Sequence, residues 1–237
     1  KKKFTDSWFS YLQLQICRQF EILEHSISRN PKKFISREWF KEKHNEGGGV
    51  SCLMKEGKIF EKVGVNKSTV SGIFKKEFRT RIPGANQDGK YWASGLSVVA
   101  HMQNPKIPAI HFNTRFIVTN KQWFGGGMDV TPCFNDKNEK KTIHEKLKKV
   151  CDNNNKNYKK YKIACDKYFY LPHRNEPRGI GGIFFDYETK NWEKNFKFVR
   201  ELGFSFIDVS NQIILKKIKS KWTKREKKNN CIKEEDM

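Results

Sequence analysis

The chain has 237 residues, of which 36% are hydrophobic and 14% aromatic, so we expect a globular domain rather than a disordered chain. Its longest apolar runs fall far short of the roughly 20 residues that a membrane helix needs, which argues against a membrane span. The net charge of +22 is also typical of nucleic-acid-binding proteins. The lysines are spread along the whole chain, however, and match no nucleic-acid motif, so we favour a solvated lysine-rich surface without a nucleic-acid partner.

Cysteine usage and chain organisation indicate one cytoplasmic domain. The six cysteines form no C-x-x-C pair, and no secretory signal precedes them, which predicts reduced thiols and a cytoplasmic location. Neither a linker nor an internal repeat divides residues 1–237, so a single domain is expected.

The predicted elements begin with an amphipathic helix over about residues 6–27, because five apolar residues recur there at helical spacing. Two hairpins follow: Val50 to Met54 with Ile59 to Val65, and Gly95 to His101 with Ile110 to Val118. Helical patterns return at about 139–151, 157–170 and 191–207, and the last two flank an apolar strand at Ile183 to Phe185. This order predicts an α+β fold, a large and mostly antiparallel sheet flanked by helices.

The second hairpin concentrates polar side chains on one face. Residues two apart in a strand share a face, so His111, Asn113 and Arg115 point one way while Thr114 and its apolar neighbours point the other. Ser97 and His101 align similarly on the first strand. Arginine suits bidentate binding of a carboxylate. The alternation alone fits equally well the wet outer face of an antiparallel sheet.

Three consecutive glycines, Gly125 to Gly127, precede Asp129. Glycine is costly unless the backbone needs unusual torsions or another group must approach it closely. A flat ligand lying against the glycines would explain them, and a flexible loop is the alternative. Asp129 could then act as a base or as the partner of a ligand N–H.

Longer segments carry a family resemblance. In chain order they are GGGVS, KIFEKVGVNKSTVSG, GLSVVAHMQNPKIPAIHFNTR, WFGGGMDVTP and CDKYFYLPHRNEPRGIGGIFFD. Over residues from about 38 to 215 the chain resembles the oxygen-dependent coproporphyrinogen III oxidase family. The resemblance implies oxidative decarboxylation of two propionates of coproporphyrinogen III to vinyl groups, which yields protoporphyrinogen IX in haem biosynthesis. It also implies O2 as co-substrate, no organic cofactor and a homodimer.

The resemblance assigns roles to individual residues. It implies that His111 is a proton donor, that Asp129 faces the pyrrole N–H groups and that Arg115 holds a propionate. It implies that Ser97, Asn113, Thr114 and Arg115 bind substrate. It further implies a divalent metal held by four histidines, which are His101, His111, His144 and His173.

The chain departs from the family pattern most at its end, where the expected segment resembling QLxRRGRYVEFN does not appear after Trp222. The codons of Asn229 to Met237 can be written so that a shifted frame reads Gln-Leu-His-Lys-Arg-Gly-Arg-Tyr. We therefore expect a frameshift near Asn229, with residues 229–237 out of frame and the C-terminal part of the family domain missing. Resequencing the DNA there tests this expectation. An inactive remnant of such an enzyme is the alternative function.

Overall fold

A computed structural model describes residues 1–42, 46–134, 136–173 and 175–228. The segment 229–237, for which a shifted frame is predicted, lies outside these residues. The helices are α1 (Lys2–Ile27), α2 (Lys76–Arg79), α3 (Lys137–Asn153), α4 (Tyr158–Tyr168) and α5 (Trp192–Lys217). The strands are β1 (Ile35–Phe40), β2 (Gly47–Lys55), β3 (Phe60–Ile73), β4 (Lys90–Met102), β5 (Ala109–Val118), β6 (Gln122–Thr131), β7 (Tyr170–Leu171), β8 (Glu176–Pro177) and β9 (Gly181–Glu188).

Seven strands form one antiparallel sheet in the order β1-β2-β3-β4-β5-β6-β9, and β7 pairs with β8. The long helices α1 and α5 cover one face of this sheet. Phe9, Leu12, Ile16 and Phe20 of α1 are fully buried, as the helical spacing predicts. They pack with apolar residues of α5, among them Phe198, Leu202, Phe206, Val209 and Ile213, and with alternate residues of the sheet, among them Val65, Val98, Phe112, Phe116 and Met128.

Two polar side chains fasten α1 to the sheet. The Gln13 amide nitrogen donates to the carbonyl oxygens of Val50 and Val65, at 2.8 and 2.9 Å. The buried Glu24 carboxylate accepts the backbone N–H groups of residues 58–60 at 2.8 to 2.9 Å. Because buried polar groups are costly unless they are paired, these contacts set the position of the β2–β3 turn on the helix.

The opposite face of the sheet is lined by polar and small residues. Residues directly opposite one another in an antiparallel pair share a face. One such row crosses the sheet from edge to edge: Arg37, Ser51, Asn66, Ser97, Asn113, Gly127 and Phe184. The rows on either side of it contain His111 paired with Asp129, and Arg115 paired with Gly125. We call this surface the polar face.

The predicted α+β fold with its antiparallel sheet is confirmed, and both hairpins lie where alternation places them. The three glycines lie within a buried strand, β6, and not in a loop. Strand β1 was not predicted, because each of its residues is exposed and no alternation marks it. Over the described residues, no helix combines the length and apolarity needed to cross a membrane.

Candidate active site

A carboxylate, an imidazole and a guanidinium meet on the polar face. Asp129 of β6 is only 2% exposed, and its register partner is His111 of β5. Arg178, between β8 and β9, donates to Asp129 Oδ2 from Nη2 at 2.7 Å and from Nε at 3.1 Å. His111 Nδ1 lies 3.9 Å from the same oxygen and 3.5 Å from Arg178 Nη2. The strand register thus brings Asp129 and His111 together, and the loop before β9 adds Arg178.

The surroundings of Asp129 keep its carboxylate ionised. Burial by itself raises the pKa of this carboxyl, but His111 and the charge and hydrogen bonds of Arg178 outweigh burial and hold the pKa below its usual value. The other oxygen, Oδ1, is also buried and has no hydrogen-bond partner among the described residues. A buried anionic oxygen without a donor is costly to maintain, so it is an acceptor suited to a ligand N–H.

Arg178 is held in place independently of Asp129. Its guanidinium lies 3.9 Å from the centre of the Phe169 ring, within cation–π distance. Its backbone N–H donates to the Phe169 carbonyl oxygen at 2.9 Å. Our sequence analysis assigned it no role, because it stands 49 residues from Asp129 and shares no strand with it. The only signal was its place in the polar segment before β9.

A second ion pair occupies the neighbouring row of the polar face. Arg115 donates from Nη2 to Asp186 Oδ2 at 2.7 Å, and its Nη1 lies 3.3 Å from Asn113 Oδ1. Gly125 leaves the room for this pair, since a Cβ there would lie 2.4 Å from Asp186 Oδ1. Both charged side chains are partly exposed. Arg115 is therefore accessible to a ligand carboxylate, for which Asp186 is a ready-made competitor.

An open cleft of about 590 Å³ lies over this part of the face, within the range usual for small-molecule sites. Ser97, Asn113 and Arg115, three of the predicted substrate-binding residues, line it, and the Phe184 and Tyr168 rings stack at 4.3 Å on its wall. Gly95 keeps its floor flat. The cleft therefore suits a planar ligand that carries carboxylates.

Thr114 differs from the other predicted substrate-binding residues. Its side chain points to the core face, is 1% exposed, and its hydroxyl has no hydrogen-bond partner among the described residues. The strand alternation requires this orientation. Thr114 is nevertheless among the residues that line the cleft, so a contact between it and a ligand there would come from the main chain. Its role in substrate binding stays a prediction.

The four histidines predicted to bind a metal are not assembled into a site. The rings of His101 and His111 are neighbours, 5.8 Å apart. His144 on α3 uses both ring nitrogens elsewhere, with the Tyr158 hydroxyl 2.6 Å from Nδ1 and the Ile180 carbonyl oxygen 2.9 Å from Nε2. In the described ranges no three His, Cys, Asp or Glu side chains are grouped so that they could hold a metal ion. The structure therefore shows no metal site among the described residues, and the four-histidine site stays a prediction.

Comparison with known proteins points to one family. A sequence model described as coproporphyrinogen III oxidase matches residues 5–235. A protein of Rickettsia akari (strain Hartford), named oxygen-dependent coproporphyrinogen-III oxidase, is 45% identical over 98% of this chain and 84% of its own length. Proteins of the same name from Rickettsia rickettsii (strain Sheila Smith) and Rickettsia bellii (strain RML369-C) are both 46% identical over the same shares.

The fold and the site first define a class: an α+β protein with an open cleft, lined in part by Arg115, on the polar face of an antiparallel sheet. The family match and the relatives then specify it further. The chain belongs to the coproporphyrinogen III oxidase family. The prediction of an oxidoreductase of porphyrin biosynthesis is thereby confirmed.

Proposed function

We propose that the chain converts two propionates of coproporphyrinogen III to vinyl groups, with O2 as oxidant, and so forms protoporphyrinogen IX. The observation that carries this proposal is the buried, ionised Asp129, one oxygen of which has no donor among the described residues, next to an imidazole and a guanidinium. A reduced tetrapyrrole presents pyrrole N–H donors to such an oxygen and carboxylates to arginines. The open cleft, lined by Gly95 and by the stacked rings of Phe184 and Tyr168, suits its shape.

The reaction balances without an organic cofactor. Each propionate loses CO2 and one hydrogen from the carbon bound to the ring, and a C=C bond forms in place of the broken C–C and C–H bonds. The two electrons released reduce O2, which takes up two protons to become H2O2. One of these protons derives from the substrate carbon, and the other must be supplied.

The residues of the polar face divide this work. Asp129 binds the pyrrole N–H groups and stabilises the positive charge that develops on the ring as it is oxidised, an electrostatic effect that is strong in a buried site. Arg115 holds the reacting propionate, exchanging its partner Asp186 for the substrate carboxylate. His111, beside Asp129, donates the remaining proton. Ser97 and Asn113 add hydrogen bonds to the bound carboxylate.

A homodimer and a cytoplasmic location belong to the same proposal. The relatives' name supports O2 as co-substrate, and the balance above supports the absence of an organic cofactor. The alternative of an inactive remnant is not favoured, because the proposed donor, acceptor and arginine lie together on one face.

The test is turnover by the purified chain. Coproporphyrinogen III is supplied under air, and the product is measured by protoporphyrin fluorescence after oxidation. Asp129→Asn keeps the shape of the side chain but removes its charge. We expect it to reduce kcat by about 10²- to 10³-fold, the usual loss when one electrostatic contact to a transition state is removed.

The matched control is Asp152→Asn, which changes an exposed carboxylate on α3 that pairs only with Lys148 at 2.5 Å. This variant should retain full activity. Absence of turnover by the unaltered chain, or full activity of Asp129→Asn, would refute the proposed function.

A further inference from the structure

The hydrogen bonds of His144 define its tautomer. A carbonyl oxygen only accepts, so the bond to Ile180 places the ring proton on Nε2, and Nδ1 accepts from the Tyr158 hydroxyl. Tyr158 therefore donates to the His144 ring, and the ring in turn donates to the Ile180 carbonyl oxygen.

Ile180 connects this chain to the active site. Its N–H donates to the Val130 carbonyl oxygen on β6 at 3.1 Å, while its own carbonyl oxygen accepts from His144. Both backbone groups of one residue are thus held, one by the strand that carries Asp129 and one by α3. Ile180 lies two residues after Arg178. The following residue, Gly181, has φ +85°, a conformation that favours glycine.

We propose that His144 is a positioning residue: it fixes the Ile180 carbonyl and thereby holds Arg178 in register with Asp129. Only the kinetic test of this inference rests on the proposed function. The loop is also held by the Arg178 N–H bond to the Phe169 carbonyl oxygen and by the Ile180 N–H bond to β6, and His144 adds the bond from α3 to the Ile180 carbonyl oxygen. Loss of the His144 donor would leave the buried Ile180 carbonyl unpaired and let the loop carrying Arg178 shift.

Three substitutions separate positioning from metal binding. His144→Leu removes both hydrogen bonds. In His144→Gln the side-chain amide reaches the position of Nε2 and keeps a donor for Ile180, but it is a poor metal ligand compared with imidazole. Tyr158→Phe removes only the donor to Nδ1. His25→Leu, at an exposed position of α1, is the matched control.

We expect His144→Leu to lower kcat/KM by about 10- to 100-fold, the range for an unpaired buried polar group. His144→Gln should stay within about fivefold of the unaltered chain, and Tyr158→Phe should fall between the two. His25→Leu should have no effect. Equal losses in the Gln and Leu variants, or restored activity of either on adding Mn²⁺, would overturn the proposal in favour of a metal ligand.

A double-mutant cycle tests whether His144 acts through Arg178. In an Arg178→Ala background, His144→Leu should lower kcat/KM by at most about threefold further, because the guanidinium that His144 positions is already absent. An undiminished penalty in that background would show that His144 acts elsewhere, which also overturns the proposal. A residue with a merely structural role would show no such coupling.

Hydrogen exchange provides a readout that does not require turnover. Amides between 178 and 182 should exchange faster in His144→Leu than in the unaltered chain, and at the unaltered rate in His144→Gln. Unchanged exchange in the Leu variant refutes the positioning role. If the unaltered chain does not turn over coproporphyrinogen III, the proposed function fails while this measurement still decides the role of His144.

Discussion

Removing the guanidinium beside Asp129 should reverse the way in which stability depends on pH. In the folded chain the pKa of Asp129 lies below its reference value of 3.8. Asp129 therefore stabilises the fold above about pH 4, and that stabilisation is lost as the pH falls through the folded pKa. Arg178→Met removes the cation while keeping most of the side-chain volume.

The magnitude follows from the burial of Asp129, which is 2% exposed. Removing one partner of a buried ion pair costs about 3 to 5 kcal/mol. For a domain of this size, 1 kcal/mol shifts Tm by about 2 to 4 °C, so we expect Tm to fall by about 6 to 20 °C at pH 7. Burial, the largest single influence on this carboxyl, is then opposed by His111 without the help of Arg178, and we expect the pKa of Asp129 to rise above its reference value. The variant should therefore lose stability as the pH rises, and the gap to the unaltered chain should narrow in acid.

Thermal unfolding at a series of pH values, followed by circular dichroism, measures both effects. The double variant Asp129→Asn with Arg178→Met has no buried charge at this site, so it should recover most of the lost stability at pH 7. Arg18→Met, at an exposed position of α1, should change Tm little. An Arg178→Met chain as stable as the unaltered one at pH 7, or a double variant no better than the single, would refute the reasoning.

Two further predictions concern the cleft and the core. Gly125→Ala adds a Cβ 2.4 Å from Asp186 Oδ1 and should raise KM at least about tenfold, whereas Gly64→Ala on the same face meets only ordinary contacts and should leave KM unchanged in steady-state assays. Glu24→Gln replaces one of the two carboxylate oxygens that accept the N–H groups of residues 58–60 with an NH2 donor, which leaves at least one of these N–H groups facing another donor. It should cost about 1 to 3 kcal/mol, measured by urea unfolding; an unchanged midpoint would contradict the inferred bonds.

Local pattern determined much of the fold. Helical spacing located α1, since an apolar stripe must be buried against something whatever the partner is. Alternation assigned His111, Asn113 and Arg115 to one face, because the two-residue period of a strand is a property of the backbone itself. The same period oriented Thr114 toward the core, where the structure places it.

The tertiary structure alone decided which charges meet. Arg178 reaches Asp129, Asp186 reaches Arg115, and His144 reaches Ile180 across separations of 49, 71 and 36 residues. No local periodicity relates such residues, since their proximity depends on how β6 pairs with β9 and on how α3 packs beside that pair. For the same reason the histidines that were predicted to form one site lie in different places. His101 and His111 are neighbours on the polar face, whereas His144 on α3 bonds to Tyr158 of α4. The sequence determined which chemical groups are available, and the tertiary packing determined which of those groups are in contact.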